Sequence, residues 1–189
     1  MEKLSNHPRS ARILGDLKFH KDIYMPGNLI SMCVDAYKKY AGQFKMTNKG
    51  KSKVGCDESH SYDLESVERL ANSITDIGNY IFEVVANFHQ DKDNPYSIKK
   101  FVARIHYKDK YDISIVFFVK DTPCILTAWL NPKSDEHQTL NTSEYIKSKK
   151  DRQEITGKML QNANQVKINE DRLKKIIHEA VLKTVKILK

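Results

Sequence analysis

The chain has 189 residues, which suits one domain with an appendage rather than two full hydrophobic cores. Hydrophobic residues make up 40% of it and charged residues 30%, a balance typical of soluble domains, and the N-terminus has no apolar segment of the kind that forms a secretory signal peptide. The net charge of +8 is compatible with nucleic acid as a partner, although solubility or an acidic protein surface accounts for it equally well.

Cysteine usage and the lengths of the apolar runs give two further expectations. The three cysteines, Cys33, Cys56 and Cys124, are odd in number and scattered, so we expect free thiols in a reducing compartment. The longest apolar run, residues 115–119, is far too short to span a bilayer. We therefore expect no membrane partner.

Residues 1–27 predict an irregular N-terminal arm, because prolines and glycines interrupt any regular pattern. One helical turn is predicted at residues 9–14. Such an arm is ordered only when something holds it, and both a partner chain and the chain's own core remain open as that support.

Asn28 predicts the N-cap of the first helix, and Gly42 predicts its end. The apolar stripe of this helix consists of Ile30, Cys33, Val34, Tyr37 and Ala41. Because Cys33 falls within the stripe, we expect a buried and unreactive thiol there.

Residues 43–61 are polar and basic, with no acidic residue before Asp57. The lysines of this segment are Lys45, Lys49, Lys51 and Lys53. A solvated loop accounts for them, and the alternative is a loop that contacts the phosphates of a nucleic acid without reading its sequence. Cys56 and His60 are spaced like half of a zinc site, but no second pair stands at ligand spacing, so we expect no metal and no cofactor.

Residues 63–89 predict the longest helix, with Asp63 at its start. Its apolar residues recur at steps of three and four, which predicts a face wide enough to cover a sheet. They are Leu64, Val67, Leu70, Ala71, Ile74, Ile77, Ile81, Val84, Val85 and Phe88. Gly78 lies within this pattern and predicts a close helix–sheet crossing or a bend.

Residues 98–131 predict three short strands, because β-branched and aromatic residues alternate there with period two. Turns of about four residues separate the strands, which predicts an antiparallel meander. We therefore expect an α+β domain: an antiparallel sheet of three or slightly more strands, covered on one face by the long helix.

The alternation along these strands predicts one apolar face and one mixed face. The mixed face carries Arg104, His106, Ser114, Thr127 and Trp129. It is too apolar to be simply solvated and too polar to be an ordinary core, so it is a candidate binding or catalytic surface.

The C-terminal part of the chain predicts a separate element. Residues 28–156 form the predicted core domain, residues 157–167 a polar linker, and residues 168–189 an amphipathic helix. The apolar stripe of this C-terminal helix consists of Leu173, Ile176, Ile177, Ala180, Val181, Val185 and Leu188. Such a helix is marginal alone in water, so the stripe must pack on its own domain or on another chain; a membrane is disfavoured because the stripe lacks Trp and Phe anchors.

The last residues resemble a recurrent ending, of the pattern N-E-x-x-L-x-x-I-I-x-E-x-V, found on small proteins of gut bacteriophages and their bacterial hosts. The matching residues are Asn169, Glu170, Leu173, Ile176, Ile177, Glu179 and Val181. The resemblance covers about a tenth of the chain. It implies a phage or prophage origin, and hence a location in the virion or the host cytoplasm.

The predicted meander, ending in TAWLN, resembles the ribonucleases of the barnase–EndoU–colicin–RelE group, in which the open face of a small antiparallel sheet cleaves RNA. The resemblance implies that the site residues would be Arg104, His106, Thr127 and His137. In that chemistry a histidine serves as general acid or base, a cation stabilises the phosphorane and a hydroxyl orients it.

Two hypotheses follow. The first is a non-enzymatic phage assembly protein of the head, neck or portal that docks on other protein subunits, identical or different, through its arm and its C-terminal helix. The absence of a P-loop, a G-x-S-x-G and an H-E-x-x-H motif favours it. The second is a metal-independent ribonuclease or RNA-binding effector that uses the mixed face, where Trp129 would stack on a base.

Overall fold

The computed structural model describes residues 13–89, 95–135 and 141–187, and the side chains of residues 13–14 and 182–187 are excluded from that description. These residues form an α+β fold around one five-stranded antiparallel sheet with strands in chain order. The strands are β1 (Ile13–His20), β2 (Ile81–His89), β3 (Tyr96–Lys108), β4 (Tyr111–Phe118) and β5 (Cys124–Pro132). The helices are α1 (Gly27–Tyr40), α2 (Asn48–Lys51), α3 (Leu64–Asn72) and α4 (Lys149–Ile187).

The predicted antiparallel meander is confirmed, but the sheet has five strands rather than three. Strands β3 to β5 are the ones that the sequence predicts. Strand β1 lies inside the predicted arm, so the prediction of an irregular arm is wrong for residues 13–20. Leu17 and Phe19 alternate into the core there and are almost fully buried. Residues 1–12, including most of the predicted helical turn, lie outside the described residues.

The predicted long helix over residues 63–89 is also wrong. Helix α3 begins at Leu64, where the Asp63 side chain accepts a hydrogen bond from the backbone N–H of Ser66, and it ends at Asn72. Asp76 then adopts a left-handed conformation with φ 52°, which a continuous α-helix does not contain. A short 3-10 turn follows at Ile77–Asn79, and β2 begins at Ile81. Strand β2 is an interior strand with buried residues on both faces, so its apolar positions satisfy a helical period as well as an alternating one.

Gly78 does mark a close approach, although its neighbour is α1. A Cβ added at Gly78 would lie 3.1 Å from Cγ2 of Val34. Helix α1 itself begins at Gly27, with Pro26 at the N-cap position, and buries Leu29, Cys33 and Tyr37. Cys33 is thus the buried thiol that the apolar stripe predicts, and burial raises its pKa.

The core lies between one sheet face and the helices α1 and α3. Its centre is a cluster of rings in which Phe117 lies 5.0 Å from Phe101 and 5.1 Å from Phe44, measured between ring centroids. Tyr37 stacks on Phe44 and donates its hydroxyl hydrogen bond to the carbonyl of Ala71. Aromatic pairs of this geometry add to the stabilisation from burial alone.

Helix α4 is continuous over 39 residues, so the residues predicted as a linker, 157–167, are helical. The polar residues and Gly157 lower helix propensity but do not forbid a helix whose other side is packed. That packing is supplied by Ile155 and Met159, which lie against the core, and by Ala163, which is buried.

Chain segments cover both outer strands of the sheet at one point each. Beside β1, the backbone N–H of Ile146 donates to the carbonyl of Lys18 at 3.0 Å. Beside β5, Ile125 donates to the carbonyl of Lys45 and accepts from the N–H of Thr47, both at 2.9 Å. These contacts occupy edge groups that would otherwise pair with another strand. No helix in the described part of the chain is both long enough and apolar enough to cross a membrane.

Candidate functional site

The residues predicted on the mixed face do share one face of the sheet. Ser114 of β4 pairs with Arg104 on one side and with Trp129 on the other. Thr127 pairs with Val116 in the next row of that face, and His106 pairs with Asp112. His137 lies outside the described residues.

Arg104 is held by the chain itself. Its Nε donates to Asp112 Oδ2, its Nη1 to the carbonyl of Asp135 and its Nη2 to the carbonyl of Pro132, each at 3.0 Å. Only 12% of the side chain is exposed. The guanidinium therefore ties the segment after β5 to the middle of the sheet, and a phosphate would have to displace these bonds to reach it.

A second group of hydrogen bonds and ion pairs lies at the other end of the mixed face, over β1 and β2. The hydroxyl of Tyr145 donates to Glu83 Oε2 at 2.5 Å, and Lys18 Nζ lies 4.6 Å from the centre of the tyrosine ring. Lys18 also pairs with Glu83 at 3.4 Å and with Glu144 at 2.9 Å. Burial and the bond to Glu83 raise the pKa of Tyr145 to about 12, so the hydroxyl remains a donor at physiological pH.

We call residues 132–135 and 141–146 the return segment, because they contact the mixed face at its two ends. Between those ends Val85, Val102 and Val116 are buried. The mixed face is therefore largely an internal packing surface. Its mixed composition follows from Arg104 and Glu83, whose hydrogen bonds hold the return segment.

The remaining predicted catalytic residues do not converge on one point. His106 is 60% exposed at the rim, with its Nδ1 3.8 Å from Asp112 Oδ1. The Thr127 hydroxyl is buried and has no hydrogen-bond partner among the described residues. Trp129 is half-buried. These residues share a face of the sheet, but no base among them lies beside a group that it could activate.

The four lysines of the predicted loop lie on and around α2 rather than on an irregular loop. Thr47 caps α2 by accepting from the N–H of Gly50 at 3.1 Å. Position 50 has no room for a side chain, because a Cβ there would lie 2.7 Å from the carbonyl oxygen of Leu126. Lys45 pairs with Glu68 at 2.8 Å. Lys49 and Lys51 are exposed and Lys53 is half-buried, which makes a small basic surface.

A cleft of about 720 Å³ lies between the end of α1 and helix α3. Its polar side chains fasten the chain that leaves α1: Glu68 accepts from the N–H of Met46, and the Asn72 amide bonds both backbone groups of Phe44, all at 2.9 Å. Desolvation opposes the charge on Glu68, but its bonds to Lys45 and Met46 prevail and lower its pKa. The polar residues of the cleft therefore stabilise the chain that follows α1.

The strongest surface feature is on α4. Of the large hydrophobic side chains exposed in the described residues, all but Tyr80 and Tyr111 belong to this helix. We define the projecting stripe as Val166, Leu173, Ile176, Ile177 and Val181. Ala180 also stands in the exposed half, the side chain of Val185 is not described, and Leu188 lies outside the described residues.

The projecting stripe continues a face that is already used for packing. On a helix that turns about 100° per residue, positions 155, 159, 166, 173 and 177 fall within about 40° of one another. Ile155 and Met159 on that face pack against the core, whereas Leu173 and Ile177 are 58% and 54% exposed. Every residue from 164 to 181 is exposed, a length of about 27 Å at the usual helical rise. One apolar face is thus covered at its start and uncovered beyond the sheet.

Comparisons with protein-family models, with curated proteins and with solved structures found no match to this chain.

Proposed function

We propose that this protein is a non-enzymatic assembly protein that docks on a neighbouring subunit through the projecting stripe of α4. The proposal rests on one observation: the apolar face of α4 packs against the core at Ile155 and Met159 but is uncovered along the projecting stripe. A row of half-exposed Leu, Ile and Val side chains on a helix is the usual form of a helix–helix contact surface. Strand β1 belongs to the sheet, so the docking function rests on α4 rather than on residues 13–20 of the predicted arm.

The size of the stripe indicates a weak contact. Full burial of one aliphatic side chain contributes ~1.5–3 kcal/mol, so the five of the projecting stripe, which are already half-buried, contribute about 4–8 kcal/mol per copy. Two copies then gain about 8–15 kcal/mol, against association costs of roughly 4–15 kcal/mol. We expect a dissociation constant between about 1 µM and 1 mM, and hence assembly that depends on local concentration.

The occupant that we propose is α4 of a second copy, running antiparallel. With a two-fold axis at Ile177, Leu173 lies opposite Val181 of the partner, so apolar side chains meet along the stripe. A parallel pair would bring the two domains of these chains, each with a net charge of +8, together at one end, which is less favourable.

The setting of this assembly is the second part of the proposal. The resemblance of the C-terminal ending to small phage proteins supports a place in a phage particle, at the head, neck or portal. Repeated copies in a particle would supply the high local concentration that a weak helix contact needs.

The test compares two double variants that add the same charge to α4. Leu173→Lys/Ile177→Lys places two lysines on the stripe, whereas Asn164→Lys/His178→Lys places them on the exposed opposite side. In sedimentation velocity we expect concentration-dependent association of the wild type and of the control, and a monomer for the stripe variant. Equal association of both variants would refute docking through the stripe.

The alternative, a metal-independent ribonuclease or RNA-binding effector, has less support. Arg104 would have to abandon three bonds to the chain before it could contact a phosphate. Possible contacts to nucleic acid are better placed on the exposed lysines around α2. RNA cleavage by the purified protein that is lost in His106→Ala would reverse this preference.

A further inference from the structure

The turn that follows α2 gathers three metal-ligating side chains. Cys56 Sγ, a carboxylate oxygen of Asp57 and a ring nitrogen of His60 all lie within 4.8 Å of one another. The thiol donates to Asp57 Oδ2 at 3.4 Å, and His60 Nδ1 lies 2.8 Å from Asp57 Oδ1. Each ligand type, thiolate, carboxylate and imidazole, is one that zinc takes in proteins.

The backbone holds this turn in place without help from a metal. Gly55 donates from its N–H to the carbonyl of His60 at 2.9 Å, which closes the loop around the three side chains. Gly55 has φ 79°, a left-handed conformation that glycine adopts most readily. The ligands are therefore positioned by a formed turn, so a metal would not have to order the chain before binding.

The spacing suits a tetrahedral ion. With Zn–S near 2.3 Å and Zn–O near 2.0 Å, a tetrahedral angle separates the sulfur and the oxygen by about 3.5 Å. The observed separation of Cys56 Sγ and Asp57 Oδ2 is 3.4 Å. Asp57 uses its other oxygen, Oδ1, to accept from the N–H of His60 and the hydroxyl of Ser59. The hydrogen bonds within the turn thus use Oδ1, which leaves Oδ2 as the metal-binding oxygen.

We propose that Cys56, Asp57 and His60 form a surface site for one Zn²⁺ ion, with water in the fourth position. The sequence predicts no zinc because it has no second Cys/His pair. In the folded turn, Asp57, which lies between Cys56 and His60, is the third ligand instead. The site is accessible from solvent, since Cys56 and Asp57 are exposed, and an exchangeable water completes its three protein ligands. The nearby Lys53 opposes a cation and limits the affinity.

Binding would release one proton. The Cys56 thiol exchanges its proton for the metal, and that proton passes to solvent. The neutral His60 ring would carry its proton on Nε2, so that Nδ1, which lies 2.8 Å from Asp57 Oδ1, is free to bind the metal. Because a proton is released, a higher pH favours binding.

The experiment titrates the full chain with Co²⁺, a spectroscopic substitute for Zn²⁺, and then displaces it with Zn²⁺. We expect one Co²⁺ per chain, an absorption band from thiolate-to-cobalt charge transfer, and loss of that band when Zn²⁺ is added. Cys56→Ser should abolish the band and weaken Zn²⁺ binding at least ten-fold in calorimetry, and His60→Ala should weaken it similarly. Circular dichroism of each variant checks that it is folded.

The matched controls are Cys124→Ser and His106→Ala, which remove a partly exposed thiol and an exposed imidazole elsewhere. Both should bind Zn²⁺ as the wild type does. A wild type without the charge-transfer band at millimolar Co²⁺ would overturn the proposal. A band that persists in Cys56→Ser would overturn it too, because the metal would then use another thiol. Neither result depends on whether α4 docks on a second copy.

Discussion

Met159 of α4 lies directly over Gly15 of β1, so that a Cβ added to Gly15 would lie 3.1 Å from Met159 Cε. This contact determines where α4 leaves the sheet. Ala163, four residues later, is buried, and every side chain from 164 to 181 is exposed. The position at which α4 packs on β1 therefore determines which part of the apolar face of α4 is uncovered.

Gly15→Val should destabilise the domain by ~1–3 kcal/mol, because branched side-chain atoms would overpack the contact with Met159. Gly15→Ala should cost less than about 1 kcal/mol, since the flexible methionine can move and alanine reduces the chain entropy of the unfolded state. Urea denaturation measures both. In a Met159→Ala background the cost of Gly15→Val should fall. An unchanged cost there would show that Met159 is not the obstacle.

Tyr145→Phe removes the hydroxyl that donates to Glu83 while leaving the ring under Lys18. Because the lost bond is to a carboxylate whose side chain is only 14% exposed, we expect a loss of ~1.5–3 kcal/mol in the free energy of unfolding. Thermal or urea denaturation measures it. Tyr111→Phe removes the hydroxyl of an exposed tyrosine and is the control. Equal stabilities of the two variants would contradict the role given to the return segment.

Glu68→Gln should cost about 1 kcal/mol at pH 7, because the neutral amide loses the ion pair with Lys45 and accepts more weakly from the N–H of Met46. Because the pKa of Glu68 is lowered in the folded protein, its charge stabilises the fold above the ordinary value of 4.5, and this contribution is lost as the pH falls below it. The stability difference between wild type and variant should therefore shrink in acid. Glu65→Gln, on the exposed side of α3, is the control. A difference that stays constant from neutral pH into acid would contradict the assignment.

The antiparallel register makes a prediction about cross-linking. With the two-fold axis at Ile177, Leu173 of one copy lies opposite Val181 of the other. In a background without Cys56 and Cys124, a mixture of Leu173→Cys and Val181→Cys chains should form mixed disulfides faster than either chain alone. Faster cross-linking of each variant with itself would indicate a parallel pair instead.

The parts of the fold that the sequence predicts are those with local signals. Strands β3 to β5 are joined by tight turns and alternate clearly, so their pairing is evident from the chain. Strand β2 pairs with β1 across some sixty residues and is apolar on both faces, so neither its period nor its partner is visible locally. Gly15 looks like a chain breaker in the sequence, whereas in the structure it is the place where Met159 fits.

The sites divide in the same way. The stripe of α4 is visible in the sequence because it depends only on helical spacing. The mixed face is also visible, but its interpretation changes because the return segment packs on Arg104 and Glu83, which no periodicity shows. The Cys56, Asp57 and His60 cluster depends on how one turn folds. Its sequence signal, a C-D-x-x-H run after a glycine, is informative only once that turn is known to close.

Sedimentation equilibrium of the full chain shows whether α4 docks on a second copy. Over about 10 µM to 1 mM, we expect a weight-average mass that starts near the 21.9 kDa of one chain and rises toward twice that value. A mass that stays at that of one chain over the whole range would contradict docking of α4 on a second copy.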